Sequence, residues 1–202
     1  MFLFAGIEIP YFYHSHNCGL QNAGRRTERT VELAIANIWL ESLERQNLKV
    51  TEIGAVSPYY WPGRIKTIID PCDAHKCVSD HQSMFRYGFE GTNVLSISTI
   101  EHIGEGRYGQ QEEKTPIDGL SKLIEEADRF LITFPIGCNV TLDEAVIRNR
   151  SLDVVCRVTY LLRQGDDSWK EVTNDQATTK YGNGQKPWAN SIAVLERGVF
   201  SP

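Results

Sequence analysis

The stretch from Asn93 to Gly104, Asn-Val-Leu-Ser-Ile-Ser-Thr-Ile-Glu-His-Ile-Gly, constrains the fold more than any other part of the chain. Its apolar half reads as a short buried strand. That strand runs straight into Ser98, Thr99, Glu101 and His102, so its C-terminal end is loaded with polar groups. Two earlier segments share the design. Val50-Thr51-Glu52-Ile53-Gly54 ends on a carboxylate and a glycine, and Thr67-Ile68-Ile69-Asp70 ends on a carboxylate. Three strands that deliver polar groups at their C-terminal ends describe a nucleotide-type site along a parallel sheet.

The other elements follow from periodicity and punctuation. A helix is expected from Thr27 as cap to Arg45, with Val31, Ala34, Ile35, Ile38, Trp39 and Leu43 at helical spacing. Strands are expected near 49–54, 66–70, 77–79 and 93–98. Thr115-Pro116 opens a second helix, with Ile117, Leu120, Leu123, Ile124 and Ala127 as its buried stripe. Residues 129–135 form a fifth strand, and Thr141-Leu142-Asp143-Glu144 reads as a capping box for a short helix. Residues 154–163 and 169–173 read as two strands joined by a turn at Gln164-Gly165-Asp166-Asp167, and 191–195 as a last strand. Residues 1–26 read as an irregular aromatic arm, packed for the most part against a single domain over 27–202. The expected class is therefore α/β: a Rossmann-like, doubly wound sheet, mostly parallel, with an antiparallel C-terminal edge hairpin.

Composition narrows the partners. The net charge is −5, and the longest basic run is Gly24-Arg25-Arg26, so a nucleic-acid partner is not expected. No apolar run approaches the roughly 20 residues that span a bilayer, so no membrane role is expected. Residues 1–7 are apolar but short, and Glu8 and Pro10 end them, which makes a poor signal peptide. Five cysteines, an odd count without a compact framework, suggest reduced thiols and a cytoplasmic location. Cys72, His75, Cys77 and His81 follow a C-x2-H-x-C-x3-H spacing that matches no usual zinc ribbon or finger, so no metal is expected.

The Ser-Ile-Ser-Thr-Ile-Glu-His-Ile string, together with the strand ends at Glu52 to Gly54 and at Asp70, resembles the class I S-adenosylmethionine (SAM)-dependent methyltransferases, particularly those acting on small molecules in sugar and glycan biosynthesis. The likeness covers about residues 27–197. It implies SAM as cofactor. Glu52 would either fix the glycine-rich loop or meet the methionine amino group, and Gly54 and Ala55 would let the backbone approach the cofactor closely. The pattern departs after Gly54: Ala55-Val56-Ser57 replaces the later glycines, and Pro58 and Pro62 shorten the usual helix to a loop. Arg25 or Arg29 could then supply the charge-assisted bond to the methionine carboxylate.

The same resemblance assigns ribose recognition to Asp70, with Asp73 as competitor, and adenine recognition to Asp80. It places Ser98 and Thr99 beside the methyl donor. His102 is the candidate general base, since an imidazole titrates near neutrality. It competes with transfer by in-line positioning alone, because a sulfonium is already a strong donor. Residues 104–114, and the aromatic Tyr59-Tyr60-Trp61, can reach the same mouth from neighbouring strand ends. The expected activity is methyl transfer to a small acceptor, such as a hydroxyl of a glycan, sugar nucleotide or natural product, with the oligomeric state open. A non-catalytic binding or scaffold protein is the alternative. A nicotinamide-dependent enzyme fits worse, because G-x-G-x-x-G is missing after the first strand.

Overall fold

The computed structural model describes residues 1–14, 26–104, 113–148, 152–177 and 189–200. Arg25, offered by the sequence as a partner for a ligand carboxylate, and residues 105–112 of the expected mouth loop lie outside those residues. The chain opens with a hairpin, β1 (Phe2–Phe4) and β2 (Ile7–Ile9), where the sequence suggested an irregular arm. Ala5 and Gly6 make the turn with positive φ, and the Ala5 amide donates to the Glu171 carboxylate. Phe2, Phe4, Ile9 and Tyr11 are buried in the same core cluster as the first helix.

That helix, α1, spans Glu28–Arg45. Thr27 precedes it but does not cap it with its hydroxyl. Instead the Thr27 carbonyl accepts from the Thr30 hydroxyl at 2.7 Å. Then come β3 (Val50–Ile53), β4 (Thr67–Ile69) and β5 (Asn93–Ile97), followed by α2 (Pro116–Glu126) and β6 (Arg129–Pro135). Thr115 caps α2 in a reciprocal box with Asp118, as its position before Pro116 suggests. α3 (Val140–Arg148), the short α4 (Leu152–Val155), β7 (Arg157–Arg163), β8 (Trp169–Val172), the short α5 (Asn174–Ala177) and β9 (Ser191–Arg197) complete the order.

Seven strands form one mixed sheet in the order β4-β3-β5-β6-β9-β7-β8. The half from β4 to β6 is parallel, and the pairs β6-β9, β9-β7 and β7-β8 are antiparallel. The edge hairpin is thus β7-β8, while β9 lies inside the sheet between β6 and β7. Alternating side chains split between two cores, as the period of a strand requires. Leu95, Ile97, Leu131 and Val194 face α1 and the N-terminal hairpin. Val94, Phe130, Ile132 and Leu195 face α2 and α3, where Leu120, Leu123, Leu142 and Val146 meet them.

Three expectations are corrected. The strand near 77–79 is reduced to one parallel bridge between Ile69 and Asp80. Ser79 explains why: its hydroxyl accepts from the Ile68 amide at 2.7 Å and donates to the Ile68 carbonyl, so a side chain takes the ladder positions of a strand. Residues 152–155 turn helically before β7 begins, closed by the Cys156 amide on the Leu152 carbonyl at 2.9 Å. Val154 is 86% exposed there, so its β propensity meets no neighbouring strand. The helix expected from the box at 141–144 is capped earlier: Asn139 accepts from the Leu142 amide, and Asp143 turns back to the Gly137 amide at 2.7 Å.

Candidate functional site

The C-terminal ends of β3, β4 and β5 open into one cleft of about 290 Å³, near the lower end of the range for small-molecule sites. Gly54 to Val56 line it after β3, Asp70 to Asp73 after β4, and Ser83 and Met84 beyond them. Ser98, Thr99 and His102 to Gly104 enter from β5, and Arg29 from the first turn of α1. Of the expected site residues, the cleft therefore gathers Arg29, Gly54, Ala55, Asp70, Ser98, Thr99 and His102. Glu52 and Asp80 do not line it.

Gly54 is obligatory for two independent reasons. Its φ is +82°, and a Cβ there would sit 2.1 Å from the Thr99 Oγ1. The loops after β3 and β5 are thereby in contact behind the cleft. Glu52 is fully buried and turned into its own loop, where its carboxylate accepts from the Ser57 amide at 2.7 Å and pairs with the Ser57 hydroxyl. Burial pushes that carboxyl up to about 8. Of the two roles the sequence suggested, the geometry is that of a loop brace; the contact to a ligand amino group is corrected, because no part of Glu52 reaches the cleft.

Asp70 joins two loops. One of its oxygens accepts from the Ala55 amide at 2.9 Å, and the other from the Cys72 and Asp73 amides at 2.8 Å each. Its competitor Asp73 also borders the cleft and accepts from the Tyr59 hydroxyl at 3.0 Å. Asp80 instead accepts from the Gln82 side-chain amide at 2.7 Å, just outside the lining. Tyr59, Tyr60 and Trp61 do not reach the mouth: Tyr60 and Trp61 pack onto the α1 core, and Tyr59 stacks edge-on to His75.

The β5 tip is held from below. Ser98 has φ +43°, a conformation that L residues seldom adopt, and such strain clusters at functional sites. Its hydroxyl donates to Glu32 Oε1 at 2.6 Å, and the Thr133 hydroxyl donates to the same atom at 2.9 Å. Glu32 Oε2 lies 3.5 Å from Arg29 Nη1. Arg29 Nη1 is buried and has no hydrogen-bond partner among the described residues. That nitrogen faces the Glu32 carboxylate at ion-pair distance, and the Arg29 side chain also borders the cleft. His102 sits on a single turn at Ile100–His102, its Nε2 3.7 Å from the buried Glu101 carboxylate.

Sequence reasoning missed Glu32, Met84 and Ile103. A signal for Glu32 was present: residues 31–36 include Val31, Leu33, Ala34, Ile35 and Ala36, apolar on every side of the helix. A carboxylate inside such a run must be partnered. Met84 and Ile103 lie in loops, where no periodicity marks a wall residue. Among the described residues, no group of three or more His, Cys, Asp or Glu side chains is placed to hold a metal ion, and no helix is long and apolar enough to cross a membrane. No family model, curated protein or solved structure matches the chain.

Proposed function

We propose that this protein is a SAM-dependent methyltransferase with the doubly wound, Rossmann-like fold, acting on a small acceptor such as a hydroxyl of a glycan, sugar nucleotide or natural product. One observation carries the reading. The cleft lies over the C-terminal ends of β3, β4 and β5, in a sheet whose last strand, β9, is inserted antiparallel between β6 and β7. The plain dinucleotide-binding sheet has its sixth strand directly beside its fifth. An antiparallel C-terminal edge on a parallel half is what the resemblance to the methyltransferase variant implies, and the β9-β7-β8 strands supply one. Fold alone does not assign chemistry, so the side chains must fit as well.

They fit a nucleoside joined to an amino acid. Arg29 borders the cleft, where a guanidinium suits a ligand carboxylate. Gly54 and Ala55 let the backbone approach that end closely. Asp70 stands at the end of β4, lining the cleft where a carboxylate can meet a sugar diol. SAM supplies an electrophilic methyl group when bound. Arg29 and Asp70, which both line the cleft, would orient its two ends. His102 is the group in reach to take a proton from an acceptor hydroxyl.

A second reading, ligand binding without turnover, is favoured by one feature: the segment after β3 closes in a three-residue turn, Ser57–Tyr59, so no long helix aims its N-terminus at the ligand. Thermal shifts with S-adenosylhomocysteine (SAH) and with NAD test the shared premise. Stabilisation by SAH and not by NAD is expected, and the reverse would overturn both readings. Release of SAH from SAM across a panel of sugar nucleotides and glycosides then separates transfer from binding.

A further inference from the structure

Helix α2 carries a glycine, Gly119, in its buried face, although glycine is among the poorest helix formers. Space explains it. A Cβ at Gly119 would lie 2.5 Å from Ile103 Cδ1 and 3.4 Å from Met84 Sδ. Ile103 and Met84 are among the apolar side chains that line the cleft from the loops beyond β4 and β5. α2 packs against both of their turns, Met84–Arg86 and Ile100–His102, from outside the cleft. The missing side chain of Gly119 is therefore the room into which the back of this wall recedes.

We propose that Gly119 is a specificity-determining residue: by letting Ile103 and Met84 draw back, it sets the depth of an apolar slot that takes the flat purine ring of a nucleoside. The assignment rests on the nucleoside reading above. The wall suits a planar ring, since a thioether packs well against aromatic edges and a branched aliphatic chain gives a flat face. Gly119 itself touches no ligand. It acts through Ile103, whose Cδ1 is the end of a flexible side chain and so moves rather than breaks the helix. We take that shift to run away from α2 and so toward the cleft, which Ile103 lines.

The test uses the full chain, with SAH and adenosine as probes in calorimetry and with melting temperature as the control. Gly119→Ala is expected to bind both probes about tenfold more weakly or worse, because overpacking is transmitted to the slot. It is expected to melt at the wild-type temperature or above, because alanine favours the helix. Trimming the displaced methyl in Gly119→Ala/Ile103→Val is expected to restore binding to within about threefold of wild type. A purely structural glycine would lose stability and affinity together, with no recovery on trimming Ile103, and that result overturns the proposal. Unchanged SAH affinity in Gly119→Ala overturns it too. Failure of the wild-type protein to bind either probe overturns the nucleoside reading and the ligand named here with it. Wild-type binding that Gly119→Ala leaves intact removes Gly119 alone.

Discussion

The Ser98 hydroxyl donates to the Glu32 carboxylate at 2.6 Å, tying the strained tip of β5 to the buried side of α1. The same carboxylate takes the Thr133 hydroxyl from the end of β6 and faces Arg29. One side chain therefore fixes three elements at the floor of the cleft. Glu32→Ala should cost about 2–4 kcal/mol, since it strands two hydroxyls and takes the ion-pair partner from Arg29, which is only half-buried. Glu32→Gln retains the accepting oxygen and should cost less than half of that. Urea denaturation measures both, and an alanine variant as stable as wild type would show that the network adds nothing.

Glu52 makes stability depend on pH in an unusual direction. Burial raises its folded-state value to about 8 from an ordinary value of 4.5. The folded protein therefore holds a proton that the unfolded chain releases. The stability associated with that proton is full below the unfolded value and is lost as pH rises through the folded one. Between about pH 5 and pH 8 stability should fall with rising pH, on the order of 1 kcal/mol per unit. Glu52→Gln should flatten the slope while keeping SAH affinity, because Ser57 and not a ligand is its partner. A variant that keeps the wild-type slope would assign the titration elsewhere, with Glu28, pushed up by burial to about 7, as the next group to substitute.

Arg29 should recognise one end of the ligand only. Arg29→Gln is expected to weaken SAH by about 1.5–3 kcal/mol, the worth of a charged hydrogen bond. Binding of 5′-methylthioadenosine, which has no amino-acid end, should stay unchanged. Equal losses for the two ligands would mean that Arg29 shapes the cleft generally and meets no carboxylate.

Asp70 has to be judged against its structural duty. It accepts amides from Ala55, Cys72 and Asp73, so Asp70→Ala will lower stability before any ligand is added. Asp70→Asn keeps most acceptor geometry and isolates the charge. Wild-type protein should gain about 2.7 kcal/mol at a hundredfold excess of SAH over its dissociation constant. The asparagine variant should gain clearly less, and a full gain would take Asp70 out of the binding site.

His102 separates chemistry from binding. With an acceptor in hand, His102→Ala should bind SAH nearly as wild type does and transfer about 10² to 10⁴ times more slowly. Turnover within a few-fold of wild type in a folded variant would leave the reaction to positioning alone.

The strands of the parallel half and the helices α1 and α2 were legible in the sequence because each is specified locally. Short apolar runs mark Val94 to Ile97 and Phe130 to Phe134, and Thr115-Pro116 marks where α2 starts. The strand that became a bridge was not legible, because Ser79 uses its side chain where a backbone was expected. The insertion of β9 was hidden for another reason: which strands pair is a long-range matter that periodicity does not encode. At the site, Gly54, Asp70, Ser98, Thr99 and His102 were placed by their position at strand ends. Glu52 and Glu32 exchanged importance because a strand-end carboxylate and a helical one look alike until their rotamers are known.

The position of β9 also governs how the protein must be made. Its two neighbours, β6 and β7, are completed well before residues 191–197 leave the ribosome. Until then the parallel half and the β7-β8 hairpin each present an open edge. Only β9 completes the sheet between those two edges. Sequence-distant pairing of this kind slows folding and leaves sticky edges exposed in the meantime. A nascent chain stalled before β9 should therefore be the species most dependent on chaperones.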